Sequence, residues 1–128
     1  MEALVFGTKS PRLIRDIKRI AANVGIRFRL NRTKVNVIFV DNRQIQELNR
    51  RFLKRNRPTD VLAFPLNHSC PESGMVLLGE VYVSREQARL QARENGVRYS
   101  QELRMLVLHG LLHLAGLGHR EMKSFIAD

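Results

Sequence analysis

A single α/β domain is the expectation for this 128-residue chain, and three features carry it. Short β-branched runs alternate with amphipathic helical segments along the chain, the order that builds a sheet covered by helices. No internal repeat, low-complexity tract or Pro/Gly/Ser-rich linker divides it. A hydrophobic content of 44% over this length supplies one proper core and is too little for two domains of ordinary size, so residues 1–128 are read as one unit.

The elements follow in order. Leu4-Val5-Phe6 reads as a short strand, and Ser10-Pro11 as a helix N-cap with proline in the first helical position. Leu13, Ile14, Ile17, Ile20, Ala21 and Val24 recur at helical spacing, and Gly25 is placed to end that helix. The β-branched run from Val35 to Val40 reads as a strand with both faces partly buried. Asp41 or Asn42 then caps a helix on which Ile45, Leu48, Asn49 and Phe52 share a face. Pro58 biases Arg57 towards an extended backbone, so a turn over Arg57-Pro58-Thr59-Asp60 leads into a strand at Val61–Phe64. The stretch Asn67–Gly74 reads as a loop. Met75–Val83 is the next strand, with Gly79-Glu80 inside it; Ser84 caps a helix from Arg85 to Glu94 that stops at Asn95-Gly96. The last long helix begins near Ser100 and is apolar almost all round, as a central buried helix must be.

Charge narrows the partners. With 22 Lys+Arg against 12 Asp+Glu, the net charge of +10 points to a polyanion, and nucleic acid is the first candidate. The densest cluster, Arg50, Arg51, Lys54, Arg55 and Arg57, puts five cations into eight residues and is the expected RNA-binding surface. Arg27, Arg29, Arg32 and Lys34 make a second cluster. A membrane is not expected as a partner, since no run approaches the length of a span and the chain has no tryptophan. Aromatics make up 6% of residues, so base stacking is expected to contribute little. The lone cysteine, Cys70, cannot form an internal disulfide, and no signal-peptide pattern opens the chain; both fit a cytoplasmic protein.

The segment His109–His119 holds three of the four histidines. His109 and His113, four apart, leave one face of a helix a turn apart, and both imidazoles can reach one ion. Gly116 can turn the chain back through a left-handed conformation, which lets His119 approach the same ion from a loop. Three protein ligands leave a fourth tetrahedral position open, the arrangement of catalytic zinc. One zinc ion per chain is therefore the expected cofactor, with nickel, cobalt and copper as the other candidates. The spacing matches the zinc-protease pattern H-E-x-x-H-x-x-G-x-x-H except that Gly110 stands in place of the general-base glutamate. His109 and His113 share their stripe with Glu102 and Leu106.

Together, Arg57–Pro65, Leu78–Val83 and His109–His119 resemble the YbeY-type endoribonucleases, bacterial ribosomal-RNA maturation factors. The match in motif order runs from roughly Val35 to His119. The resemblance implies a mixed, mostly parallel sheet of about four strands packed on helices. It also implies a metal held by His109, His113 and His119, and single-strand-specific cleavage in small-subunit ribosomal RNA maturation and quality control. Carried over by position, Glu80 falls where the family places a carboxylate in the strand beside the site. This chain departs from the family in three places. Leu53 stands where relatives carry an arginine, so Arg57 is taken with Glu80 as a candidate catalytic side chain, and Arg51 and Lys54 are the other cations at hand. Gly118 replaces an aspartate before the third histidine, and the chain ends nine residues after His119, so a more open or less stable site is expected.

Two rival functions share these residues. A zinc peptidase takes the histidine pattern at face value but lacks its base at Gly110. A non-catalytic assembly factor would bind ribosomal RNA or ribosomal proteins and use the metal as a staple.

Overall fold

Four strands and four helices make up residues 1–116, the part of the chain that the computed structural model describes. The elements are β1 (Glu2–Phe6), α1 (Pro11–Arg27), β2 (Thr33–Val40), α2 (Asn42–Leu53), β3 (Val61–Cys70), β4 (Met75–Ser84), α3 (Arg85–Asn95) and α4 (Tyr99–Leu114). The sheet order is β1-β2-β4-β3, with β1, β2 and β4 parallel and β3 antiparallel at one edge. This is the mixed, mostly parallel four-stranded sheet that the resemblance implies.

Side-chain alternation sorts the helices onto two faces. Val35, Val37 and Phe39 of β2 and Val81 and Val83 of β4 point into one core with Ile17, Ala21 and Val24 of α1, Ala88 of α3 and Leu103, Leu106, Val107, Leu111 and Leu112 of α4. The other face is smaller: Val40, Ile45 and Leu62 are buried, with Ile38, Leu48, Phe64 and Tyr82 packed around them under α2. Both faces of β2 are thus partly covered, as its continuous apolar run anticipates. Helix α4 is the central helix, touching α1, α3, β3 and β4.

The caps fall where the sequence places them. Ser10, Asp41 and Ser84 each accept the backbone N–H three residues on, and Asp41 completes a reciprocal capping box with Gln44. Gly96 ends α3 in the left-handed conformation.

Two expectations are corrected. Gly25 does not end α1, which continues to Arg27; it is buried where Met1, just ahead of β1, crosses, and a Cβ there would collide with the backbone of Met1. Close approach, and not helix termination, is what requires glycine at this position. The strand expected at Val61–Phe64 runs on to Cys70, through Pro65 and the first half of the stretch read as loop. Among the described residues β3 pairs on one side only, so an edge strand accommodates the proline, and its register shifts between Pro65 and His68. Arg32 fastens the β3–β4 turn by donating to the carbonyls of Ser73 and Gly74 at 3.0 and 3.4 Å, which commits one cation of the second basic cluster to structure.

Candidate metal centre and nucleic-acid surface

The stripe Glu102, Leu106, His109, His113 climbs α4 from the interior to solvent. Glu102 and Leu106 are buried, His109 is half-buried and His113 is exposed. The two imidazole centroids lie 5.9 Å apart with their planes 38° apart. Ligating nitrogens sit about 2 Å from a zinc ion, so rings at this separation span one ion, and two neutral imidazoles suit its chemistry. At the end of the helix Gly116 takes φ +89°, the left-handed turn expected of it. His119 and Gly118 lie outside the described residues. Among the described residues no group of three or more His, Cys, Asp or Glu side chains gathers as a metal site, so the third ligand rests on the sequence.

Two glycines seat the histidine-bearing end of α4 on the sheet. Gly110 faces β4, and a Cβ there would lie 2.5 Å from Val81 Cγ1. From the other side, a Cβ on Gly79 of β4 would meet the Phe64 carbonyl and come within 2.8 Å of Leu114 Cδ2. Gly110 is therefore a packing residue as well as the place of an absent base, and this interface has no room for a glutamate. The role of Gly79 was not read from the sequence, although a glycine inside a strand pattern signals close backbone approach.

Glu80 is not brought to the histidines. Val81 faces α4, so strand alternation turns Glu80 to the α2 face, where Asn36 Nδ2 donates to its Oε2 at 3.3 Å and the Tyr82 hydroxyl to its Oε1 at 3.1 Å. Burial raises the Tyr82 phenol above its ordinary range, helped by the Glu80 charge and hydrogen bond.

Arg57 lies in the exposed loop between α2 and β3, and its carbonyl accepts a 2.9 Å hydrogen bond from the buried Asn49 amide. The loop is pinned again at Asp60. Its carboxylate accepts from Val61 N at 2.8 Å and Gln91 Nε2 at 3.2 Å, and its carbonyl from Ser84 N at 2.9 Å. Burial, with the Asp60 charge second, raises the Glu102 carboxyl above the ordinary value. The Pro58-Thr59-Asp60 segment thus belongs electrostatically to the inner end of the histidine stripe, and His109 lies seven residues, roughly 10 Å, further along the helix.

Arg50, Arg51, Lys54, Arg55 and Arg57 are all exposed. Arg50 is engaged: its guanidinium donates to both Glu47 oxygens, at 2.5 and 3.2 Å, and holds that carboxyl below its ordinary range. No carboxylate among the described residues pairs with Arg51, Lys54, Arg55 or Arg57.

The family model described as "Endoribonuclease YbeY" matches residues 7–126. Curated relatives of that name include one from Aquifex aeolicus, 38% identical over 92 residues, covering 72% of this chain and 60% of the relative. Another, from Carboxydothermus hydrogenoformans, is 42% identical over 87 residues, covering 68% of this chain and 59% of the relative. The chain thus spans about three-fifths of the length of the curated relatives it matches. The solution structure of TM1509 from Thermotoga maritima superposes with a TM-score of 0.63 at 35% identity, over 91% of this chain and 74% of that one. With the family's motifs in order and a matching fold beneath them, this chain belongs to the YbeY endoribonuclease family.

Proposed function

We propose that this protein is a zinc-dependent, single-strand-specific endoribonuclease of small-subunit ribosomal RNA maturation. Family membership over residues 7–126, together with the His109–His113 pair at the exposed end of α4, carries this reading. One zinc ion would be held by His109, His113 and His119; nickel, cobalt and copper suit the same donors less specifically. When bound, the ion supplies a Lewis acid and a water of lowered pKa.

The chain's own residues bind and orient the strand. Arg51, Lys54, Arg55 and Arg57 meet phosphates by charge, with little reading of bases. Asn49 and Asp60 hold the Arg57 loop so that its cation is placed before substrate arrives. Neither Gly110 nor Glu80 provides a carboxylate beside the histidines, so the nucleophile assigned here is the one RNA brings, its 2′-hydroxyl. The packing of Gly110 on Val81 also argues against a peptidase. No helix of the described residues is long and apolar enough to cross a membrane, and the cytoplasm, where ribosomal RNA and ribosomal assembly proteins are found, is the proposed location.

The test compares wild type with His113→Ala for metal content and for cleavage of a small-subunit RNA precursor and an unstructured protein. The expected result is about one metal ion per wild-type chain, RNA cleavage only, and both properties lost in the variant. RNA binding without cleavage by metal-loaded wild type would leave a binding factor, and proteolysis would restore the peptidase.

A further inference from the structure

Phe52 stands in the middle of the basic cluster, in the last turn of α2, and is 58% exposed. Its ring is held in place. Phe64 makes a T-shaped contact with it at 5.4 Å between centroids, and Tyr82 does the same to Phe64 at 5.8 Å. The Arg51 guanidinium carbon lies 5.8 Å from the Phe52 centroid, and Lys54, in a left-handed conformation at φ 57°, turns the chain away immediately beyond the ring. Three of the eight aromatic residues of this chain thus form a row that ends among cations with no carboxylate partner among the described residues.

An exposed phenyl ring flanked by cations matches a ligand carrying a flat apolar face and a negative charge a few ångströms away. A nucleotide in a single strand has both. A base in a duplex hides its face, an acidic peptide has the charge without the plane, and an anionic membrane calls for a broader apolar face than Phe52 with Leu53 beside it. We propose that Phe52 is a base-stacking platform for single-stranded RNA, which Arg51, Lys54, Arg55 and Arg57 hold by its flanking phosphates. The inference rests on the endoribonuclease reading and adds a subsite to it: charge supplies the register-free grip, and the ring selects strands whose bases are unpaired.

The experiment measures binding of oligouridine and oligoadenosine, and of base-free inorganic polyphosphate, to wild type, Phe52→Leu and Phe52→Tyr over a salt series. Leucine keeps an apolar side chain against Phe64 but lacks a π-face; circular dichroism confirms that each variant is folded. Phe52→Leu is expected to weaken oligonucleotide binding by about tenfold. Its slope of log affinity against log salt and its affinity for polyphosphate should match wild type, and Phe52→Tyr should bind RNA normally. Unchanged RNA affinity in Phe52→Leu, or an equal loss for polyphosphate, overturns the stacking role and leaves the endoribonuclease reading standing. Failure of the wild type to bind RNA at all overturns both. Binding to phosphatidylserine vesicles that Phe52→Leu abolishes would assign the ring to a membrane and overturn the proposal.

Discussion

Gly110 of α4 lies directly on Val81 of β4, so closely that a single added carbon would stand 2.5 Å from the valine Cγ1 and 3.0 Å from its Cγ2. The contact sets the height of the histidine-bearing helix above the sheet. It also ties the placement of the two histidines to core packing, because His109 precedes Gly110 and His113 follows about one turn later.

Gly110→Ala should accordingly destabilise the protein although alanine favours helix. Overpacking a core costs about 1–3 kcal/mol and the propensity gain returns about 1 kcal/mol, so a net loss of about 1 kcal/mol is expected in urea unfolding. Val81→Ala in the same chain should relieve the clash, making the double variant less destabilised than the sum of the two singles. Strict additivity would show that α4 moves freely away from β4. Gly110→Glu, which restores the peptidase pattern in sequence, should unfold the chain or cost about 3 kcal/mol or more, because it drives a carboxylate into Val81.

Glu102 makes stability depend on pH in a stated direction. Its folded carboxyl is raised above the ordinary 4.5, by burial first and the Asp60 charge second, so between the two values the folded state binds more protons than the unfolded. Its contribution is fully present below the unfolded value and is lost as pH rises through the folded one. Glu102→Gln removes that loss. Wild type and variant should therefore diverge in denaturant midpoint as pH rises from 4 towards neutrality, with the variant the more stable at the upper end; a constant difference would show that Glu102 titrates normally.

Within the basic cluster the structure separates cations that sequence counts alike. Arg50 is bonded to Glu47, whereas Arg51 has no carboxylate partner among the described residues. Each phosphate contact contributes about −0.7 to the slope of log affinity against log salt on a single strand. Arg51→Gln should flatten the slope by about that amount and Arg50→Gln by less, since releasing Arg50 for RNA breaks an existing pair. Equal effects would place both guanidinium groups on the phosphates.

Where patterning was dense, the sequence was legible. Ser10, Asp41 and Ser84 announce helices α1, α2 and α3, alternation in β2 announces a strand between two layers, and the His109–His113 spacing announces a shared face. What could not be read depended on residues distant in sequence. Gly25 looks like a terminator until Met1 is seen against it; Pro65 looks like a strand stop until β3 is known to be an edge. Glu80 keeps its family position while the sheet turns its side chain to the α2 face, a fact fixed by which neighbour, Glu80 or Val81, lies under α4. Asn49, read as one of a helix face, is the buried anchor of the Arg57 loop, and nothing local marks it as such.

The position of Glu80 bears on the choice of nucleophile. A hydrolytic route through external water needs a base next to the scissile phosphate, and the two positions where sequence would seek one are closed: Gly110 packs against Val81, and the Glu80 carboxylate is engaged by Asn36 and Tyr82 across the sheet. Internal attack by the ribose 2′-hydroxyl forms a 2′,3′-cyclic phosphate and expels the 5′-oxygen; it needs no positioned external water, though the hydroxyl proton must be taken up as the bond forms, and it requires ribose at the cleaved linkage. A single 2′-deoxy substitution there should stop cleavage while binding, carried mainly by phosphate charge, stays nearly intact. Glu80→Gln should in turn leave the cleavage rate within about twofold of wild type, since its carboxylate faces α2 and not α4. Continued cutting of the substituted strand, with 3′-hydroxyl and 5′-phosphate ends on the products, would make water the nucleophile, and a large loss in Glu80→Gln alongside it would mean that the sheet opens to deliver that carboxylate during turnover.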